Sequence, residues 1–196
     1  CAPSRAVVLT GKYSHLNGQR TNKDRFDGTQ QTMPKLMQKA GYQTSIVGKW
    51  HLKSTPTGFD HFEVLVGQGS YYNPVLITNG KRVTLEGYTT DLITDQAIDW
   101  LEKRRRDKPF LLKLAFVQPH VPLIDDPDWA AFYANADIAV PDLNRPIKTN
   151  EAWSWYIDQL MEHSQAATMT ADFVREGSRH YFGMVSLIDQ KSGEVL

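Results

Sequence analysis

The chain has 196 residues, 41% of them hydrophobic, with 22 Lys and Arg against 22 Asp and Glu. That length can bury a sizeable core as one domain or a large part of one, and zero net charge gives no case for a nucleic-acid or anionic-membrane partner. No run of about 18 apolar residues occurs, so no membrane span is encoded, and the single cysteine excludes an internal disulfide.

The opening residues are Cys1-Ala2-Pro3-Ser4-Arg5. Proline is tolerated in the first helical turn, so these residues read as a helix start. Ala6, Val7, Val8 and Leu9 continue it and Gly11 stops it. Side chains four apart share a face, which places Arg5 beside Cys1. A thiol at a helix N-terminus next to a guanidinium is in the setting that makes cysteine reactive, although a lone cysteine is more often a buried small hydrophobe.

Tyr13 to Gly28 is polar and turn-rich, and a connection this long is more often functional than idle. Thr32 is an expected N-cap, with Pro34 in the first turn of a helix that Gly41 stops. Tyr42 to Val47 reads as a strand that delivers Gly48-Lys49-Trp50-His51-Leu52, and Phe62 to Val66 as another. Asn79-Gly80 makes Val75 to Val83 a hairpin with a type I′ turn. Thr90 to Arg106 is an expected helix with a stripe of Leu92, Ile93, Ala97, Ile98 and Leu101, its Arg104-Arg105-Arg106 end a solvated cluster favoured by the helix dipole. Pro109 to Val117 is too continuously apolar for an edge strand and reads as a buried one, ending on Gln118-Pro119-His120. Lys113 inside it is expected to cross to an acidic partner. A short helix is expected near Trp129 to Tyr133 and longer ones over Glu151 to Gln165 and Ala171 to Val195, the last with Tyr181, Met184, Val185 and Ile188 inward. Alternating helix and strand argue for an α/β sandwich with a mixed, mainly parallel central sheet and helices on both faces. Ligands of such sheets sit at strand ends, where Lys49, His51 and His120 fall.

The string C-x-P-S-R followed by Leu9-Thr10-Gly11-Lys12 closely resembles the signature of the type I, formylglycine-dependent sulfatases, and Gly48-Lys49-Trp50-His51-Leu52 resembles their second signature. Leu9 to Tyr13 with His15 is similar to the N-acetylglucosamine-6-sulfatases in particular, and Gly67 to Pro74 resembles a stretch of bacterial polysaccharide sulfatases. The resemblance implies an alkaline-phosphatase-like fold and hydrolysis of sulfate monoesters on a carbohydrate, such as 6-O-sulfated N-acetylglucosamine within a glycosaminoglycan. It also implies that Cys1 is converted to formylglycine by a formylglycine-generating or anaerobic sulfatase-maturating enzyme that reads Cys1, Pro3 and Arg5. Calcium is implied too, held by Cys1 as formylglycine and by aspartates and an Asp-Asn pair expected outside this chain, so residues 1–196 read as part of a single catalytic domain. Export to the periplasm or beyond follows from the family alone.

Sulfate-ester cleavage needs a nucleophile, cations for the sulfate oxygens and a proton for the leaving alcohol. Lys49 and His51, two apart in extended chain, can point the same way. By resemblance they flank the nucleophile together with Arg5, His51 taking the proton that releases sulfate, and His120 protonates the leaving group. His15 is a candidate to face the pocket, and Gln68, Tyr71, Tyr72 and Asn73 suit sugar stacking and hydroxyl recognition, against the plainer reading of packed tyrosines in a tight connection. Two other readings stand: a phosphoester hydrolase of the same superfamily, and a non-catalytic glycan-binding relative. His61, His163 and His180 read as ordinary surface or packing residues.

Overall fold

A computed structural model describes residues 1–140 and 170–196; the helix expected over 151–165, and His163 with it, lies outside the described residues. The chain falls into two compact units, Cys1–Val117 and Gln118–Glu194.

In the first unit, helix α1 (Ala2–Thr10) starts at Cys1 and ends at Gly11, whose φ of 66° lets its N–H reach Val7 O at 2.8 Å. Ala2, Ala6 and Leu9 line its buried face and join Phe26, Ile46, Trp50, Leu52 and Val64 in one core. Burying each of the larger apolar side chains stabilises the fold by about 1.5–3 kcal/mol, which fixes α1 over one face of the sheet. Within the long polar connection a single turn forms, α2 (Ser14–Asn17). Helix α3 (Met33–Lys39) follows Thr32, which occupies the N-cap position without making a cap hydrogen bond; its Oγ1 is buried and unpaired.

The sheet has the order β4-β3-β2-β1-β5. At its centre β1 (Gln43–Lys49) runs parallel to β2 (His61–Leu65) and to β5 (Phe110–Ala115). β3 (Val75–Thr78) and β4 (Lys81–Thr84) add antiparallel to the β2 side, so the sheet is mixed. Their turn is the expected one: Asn79 and Gly80 both have positive φ, 47° and 89°. β1 extends two residues beyond the expected strand, through Gly48 to Lys49. That extension is possible because position 48 is glycine: at φ 104° a Cβ would lie 2.1 Å from Ala115 O on β5.

Helices cover both faces. Ile46, Phe62, Val64 and Ile77 belong to the core beneath α1, and alternation sends Val47 and Glu63 to the other side. There Gln96 of α4 (Thr89–Lys103), its amide turned to satisfy both groups, donates to Glu63 Oε2 at 2.6 Å. His61 also pairs with Glu63, at 2.8 Å, and meets Asn79 of the hairpin, a packing role as expected. The buried line of α4 is Thr90, Ile93, Thr94 and Ala97. It includes threonines because Thr94 Oγ1 donates to Thr90 O at 2.8 Å, whereas Leu92, Ile98 and Leu101 are only half-buried. The helix stops at Lys103; Arg104 lies over the Phe110 ring and Arg105 pairs with Asp107.

β5 departs from expectation. It is an edge strand among the described residues and only half-buried, since no described strand lies along its outer side.

The second unit holds α5 (Pro127–Tyr133), capped by Asp126, and α6 (Ala171–Val195), capped by Thr170. The inward residues of α6 are Gly183, Met184 and Leu187, not Tyr181 and Val185, which are largely exposed. The reason is Gly183: a Cβ there would stand 2.9 Å from Asp125 Oδ2, so the helix presents its glycine to that segment. His180 pairs with Asp125 at 2.9 Å. No helix among the described residues is long and apolar enough to cross a membrane.

Candidate active site

Cys1 holds the N-cap position of α1, yet its side chain caps nothing. The exposed sulfur instead lies 2.9 Å from His51 Nδ1. A helix start leaves backbone donors unsatisfied, and a Ser, Thr, Asp or Asn at the cap normally serves them. Here Asn22 substitutes from a distant loop, its Oδ1 accepting from Cys1 N at 3.0 Å and Ala2 N at 2.8 Å. Asn22 is held in turn by the polar connection after α1. Buried Gln19 donates to Thr21 O and Asp24 O, both at 2.9 Å, and Asp24 Oδ2 accepts from the backbone of Arg20 and Thr21. The long loop therefore folds back onto the first turn of α1.

The Lys-Trp-His spacing has an equally local cause. Trp50 is buried edge-on between Phe26 and Phe59, with ring centroids 6.2 Å away in each case, and its Nε1 donates to Ser54 O at 2.6 Å. That anchor fixes the residues on either side. His51 and Lys53 both adopt positive φ, 54° and 53°, a conformation that costs a side-chain-bearing residue about 1 kcal/mol or more and gathers at functional sites.

The electrostatics are those of an anion site. Lys49 is 2% exposed, and burial, reinforced by the Arg5 charge, lowers its pKa from 10.5 to about 7. Arg5 Nη1 donates to the backbone carbonyl of Lys49 at 2.5 Å, and burial lowers the Arg5 pKa also. Lys113 pairs in register with Ile46 and so lies on the α1 face, where burial and then Arg5 lower its pKa. Sequence reasoning sends Lys113 to an acidic partner; none pairs with it among the described residues, and its charged neighbour is Arg5. Desolvated cations without carboxylates are costly, and an incoming anion relieves that cost.

Cys1, Arg5, Lys49 and His51 are thus brought together within the first unit. His120 belongs to the second unit, where its Nδ1 donates to Val121 O at 2.6 Å. His15 is exposed on α2 and stacks on Tyr13 at 5.9 Å. The 67–74 loop divides. Tyr71 is buried against Tyr88, and burial raises its phenol pKa, so it is a packing residue. Asn73 Oδ1 accepts from Gly87 N at 2.8 Å and closes the turn. Gln68 Nε2 is buried and unpaired, whereas Tyr72 is 46% exposed and its ring meets that of Tyr88 at 5.0 Å. The donors at Cys1, a sulfur, an imidazole, a guanidinium and an ammonium, do not suit calcium, which takes six to eight oxygens. Among the described residues no group of three His, Cys, Asp or Glu could hold a metal.

Asn22 escapes sequence reading because a contact across 21 positions leaves no periodic trace, whereas Lys113 is picked out in the sequence but assigned to an acidic partner instead of the cation cluster. Replacing Asn22 by Leu removes the substitute cap; steady-state kinetics should show kcat falling about tenfold with Asn22→Asp closer to wild type, since capping is typically worth about 1 kcal/mol and displaced reacting atoms lose rate.

A family described as Sulfatase matches residues 1–194. The chain is 53% identical over 121 residues to an N-acetylglucosamine-6-O-sulfatase of Bacteroides thetaiotaomicron, covering 60% of this chain and 22% of that protein. It is 31% identical over 161 residues to the human N-acetylglucosamine-6-sulfatase, covering 69% and 29%. A solved structure in complex with its substrate D-glucosamine-2-N,6-O-disulfate superposes with a TM-score of 0.83 at 32% identity, covering all of this chain and 51% of that one. This chain spans less than a third of those curated relatives and about half of the solved chain.

Proposed function

The chain belongs to the sulfatase family, and from that premise we propose that it supplies the nucleophile-bearing part of a single catalytic domain that hydrolyses sulfate monoesters on a carbohydrate. The observation that carries this reading is the 2.9 Å approach of Cys1 Sγ to His51 Nδ1 beside Arg5, whose guanidinium holds the backbone carbonyl of Lys49. A 6-O-sulfated N-acetylglucosamine unit of a glycosaminoglycan is the proposed substrate, supported by the names of the similar proteins. Export from the cytoplasm is part of the proposal and rests on the family resemblance.

Cys1 fits conversion to formylglycine: it is exposed and owes nothing to the helix cap. In that form position 1 offers an aldehyde hydrate, one hydroxyl to attack sulfur and another through which sulfate is released. Around it, Lys49 and Arg5 neutralise the sulfate oxygens, and His51 takes a proton from the side chain of residue 1, a role supported by the 2.9 Å distance between them. His120 is the proposed acid for the leaving alcohol, a role that rests on the family resemblance. Calcium remains proposed with carboxylate ligands outside this chain, and none of these steps is assigned to it. The full-length protein, produced with a maturating enzyme, should turn over an aryl sulfate and glucosamine 6-O-sulfate well above an aryl phosphate. Preference for the phosphate, or no turnover of either sulfate, overturns the reading.

A further inference from the structure

The chain is neutral overall, but its first 60 residues carry nine Lys and Arg against three Asp. Arg5 and Lys49 account for two of these cations inside the site. Three more, Lys23, Arg25 and Lys53, stand exposed around it with no ion pair among the described residues. Their positions follow from bonds already described. Lys23 adjoins Asn22, whose side chain touches the backbone of Cys1 and Ala2. Lys53 comes two residues after His51, and its Nζ donates to Lys23 O at 3.2 Å. Phe26 N donates to Leu52 O at 3.1 Å, so the 20–26 loop and the turn after His51 are sewn into one rim.

The nearby carboxylates are engaged by their own loop. Asp24 is held ionised by hydrogen bonds from Thr21, and Asp27 by those from Thr29. Behind the rim lies an open cleft of about 420 Å³ lined by Arg25, Gly28, Ser54 and Thr57, and Ser54 Oγ is buried there without a hydrogen-bond partner. Uncompensated cations beside a spare hydroxyl, next to a site that already takes one anion, are arranged for a second.

We propose that Lys23, Arg25 and Lys53 form a second anion subsite beside the nucleophile, which takes a further sulfate or carboxylate of the substrate and so selects multiply charged glycans. This deepens the sulfatase reading and rests on it. Each exposed cation contributes a modest, salt-screened attraction, so the effect is cumulative.

The test measures kcat/KM of the full-length protein on three substrates: glucosamine 6-O-sulfate, the same sugar with a second sulfate, and the 6-O-sulfated sugar joined to a uronate. Wild type should favour one or both of the doubly charged substrates, and which one identifies the anion. Lys23→Ala, Arg25→Ala and Lys53→Asn (asparagine tolerates positive φ) should each lower that ratio about two- to fivefold, and the triple variant about tenfold or more. The wild-type preference should shrink with added salt, and Lys81→Ala, on the far hairpin, should leave the ratio alone. A triple variant with the wild-type ratio overturns the proposal, as does a wild type with no preference. Calorimetric binding of the doubly sulfated sugar to wild type and the triple variant decides the matter without turnover: equal affinities overturn the subsite, whereas loss of binding supports it even if the sulfatase reading fails.

Discussion

Replacing Cys1 by Ala should lower kcat/KM on a sulfate ester at least about 10⁴-fold while leaving the thermal midpoint within about 2 °C of wild type. The two halves of that result come from the same geometry. The thiol is exposed and makes no cap bond, and the helix start is served by Asn22, so the fold loses almost nothing. The chemistry loses the proposed attacking group, the side chain that stands 2.9 Å from His51. Mass spectrometry of the wild-type peptide that begins at Cys1 completes the measurement. An aldehyde at residue 1 is expected, and an active enzyme with an unmodified thiol would end the formylglycine assignment.

Replacing Lys49 by Met should cost about 10²- to 10³-fold in kcat/KM and remove the alkaline limb of its pH profile. In the folded chain burial, and then the charge of Arg5, lower the Lys49 pKa to about 7. If its ammonium neutralises sulfate oxygens, wild-type kcat/KM falls toward tenfold per pH unit above about 7 as that charge is lost, and inorganic sulfate inhibits less well over the same range. Stability has the opposite sign. Between about pH 7 and 10.5 the unfolded chain still holds the proton that folded Lys49 has released, so folding becomes more favourable as pH rises. Below about 7 both states are protonated and the full penalty of a buried ammonium applies. Lys49→Met should accordingly melt higher than wild type at pH 6, and chemical denaturation at pH 6 and pH 9 measures the difference. A methionine variant that keeps the alkaline limb would assign that limb to another group.

Much of this was written in local sequence. Pro3 and Gly11 bracket α1, Asn79-Gly80 makes its hairpin, and the two apart spacing of Lys49 and His51 survives because Trp50 between them is an anchor. Local pattern gave less wherever a neighbour distant in sequence decides. Leu92 and Ile98 look like core residues on a helical wheel, but the line that Gln96 and Glu63 bring against the sheet passes through Thr90 and Thr94. Tyr181 and Val185 likewise turn outward because Gly183 faces Asp125. Tyr71 and Tyr72 are adjacent, identical in type and both in ring contact with Tyr88, yet one is core and the other surface. The site shows the same division: Cys1, Arg5, Lys49 and His51 carry recognisable motifs, whereas Asn22 matters only because a loop returns it to the start of α1.

The unlike borders of the sheet bear on how this segment can be handled in the laboratory. On β4 every residue is exposed, and Lys81 and Arg82 charge a strand only four residues long, a border that resists adding another chain. On the opposite border β5 presents Phe110, 40% exposed, followed by half-buried Leu111, Leu112 and Leu114. An apolar strand with open backbone groups is a template for self-association. A truncated protein ending near this stretch would therefore tend to precipitate through β5, and solubilising changes belong there, while the β3–β4 hairpin tip is the safer place for a tag or label.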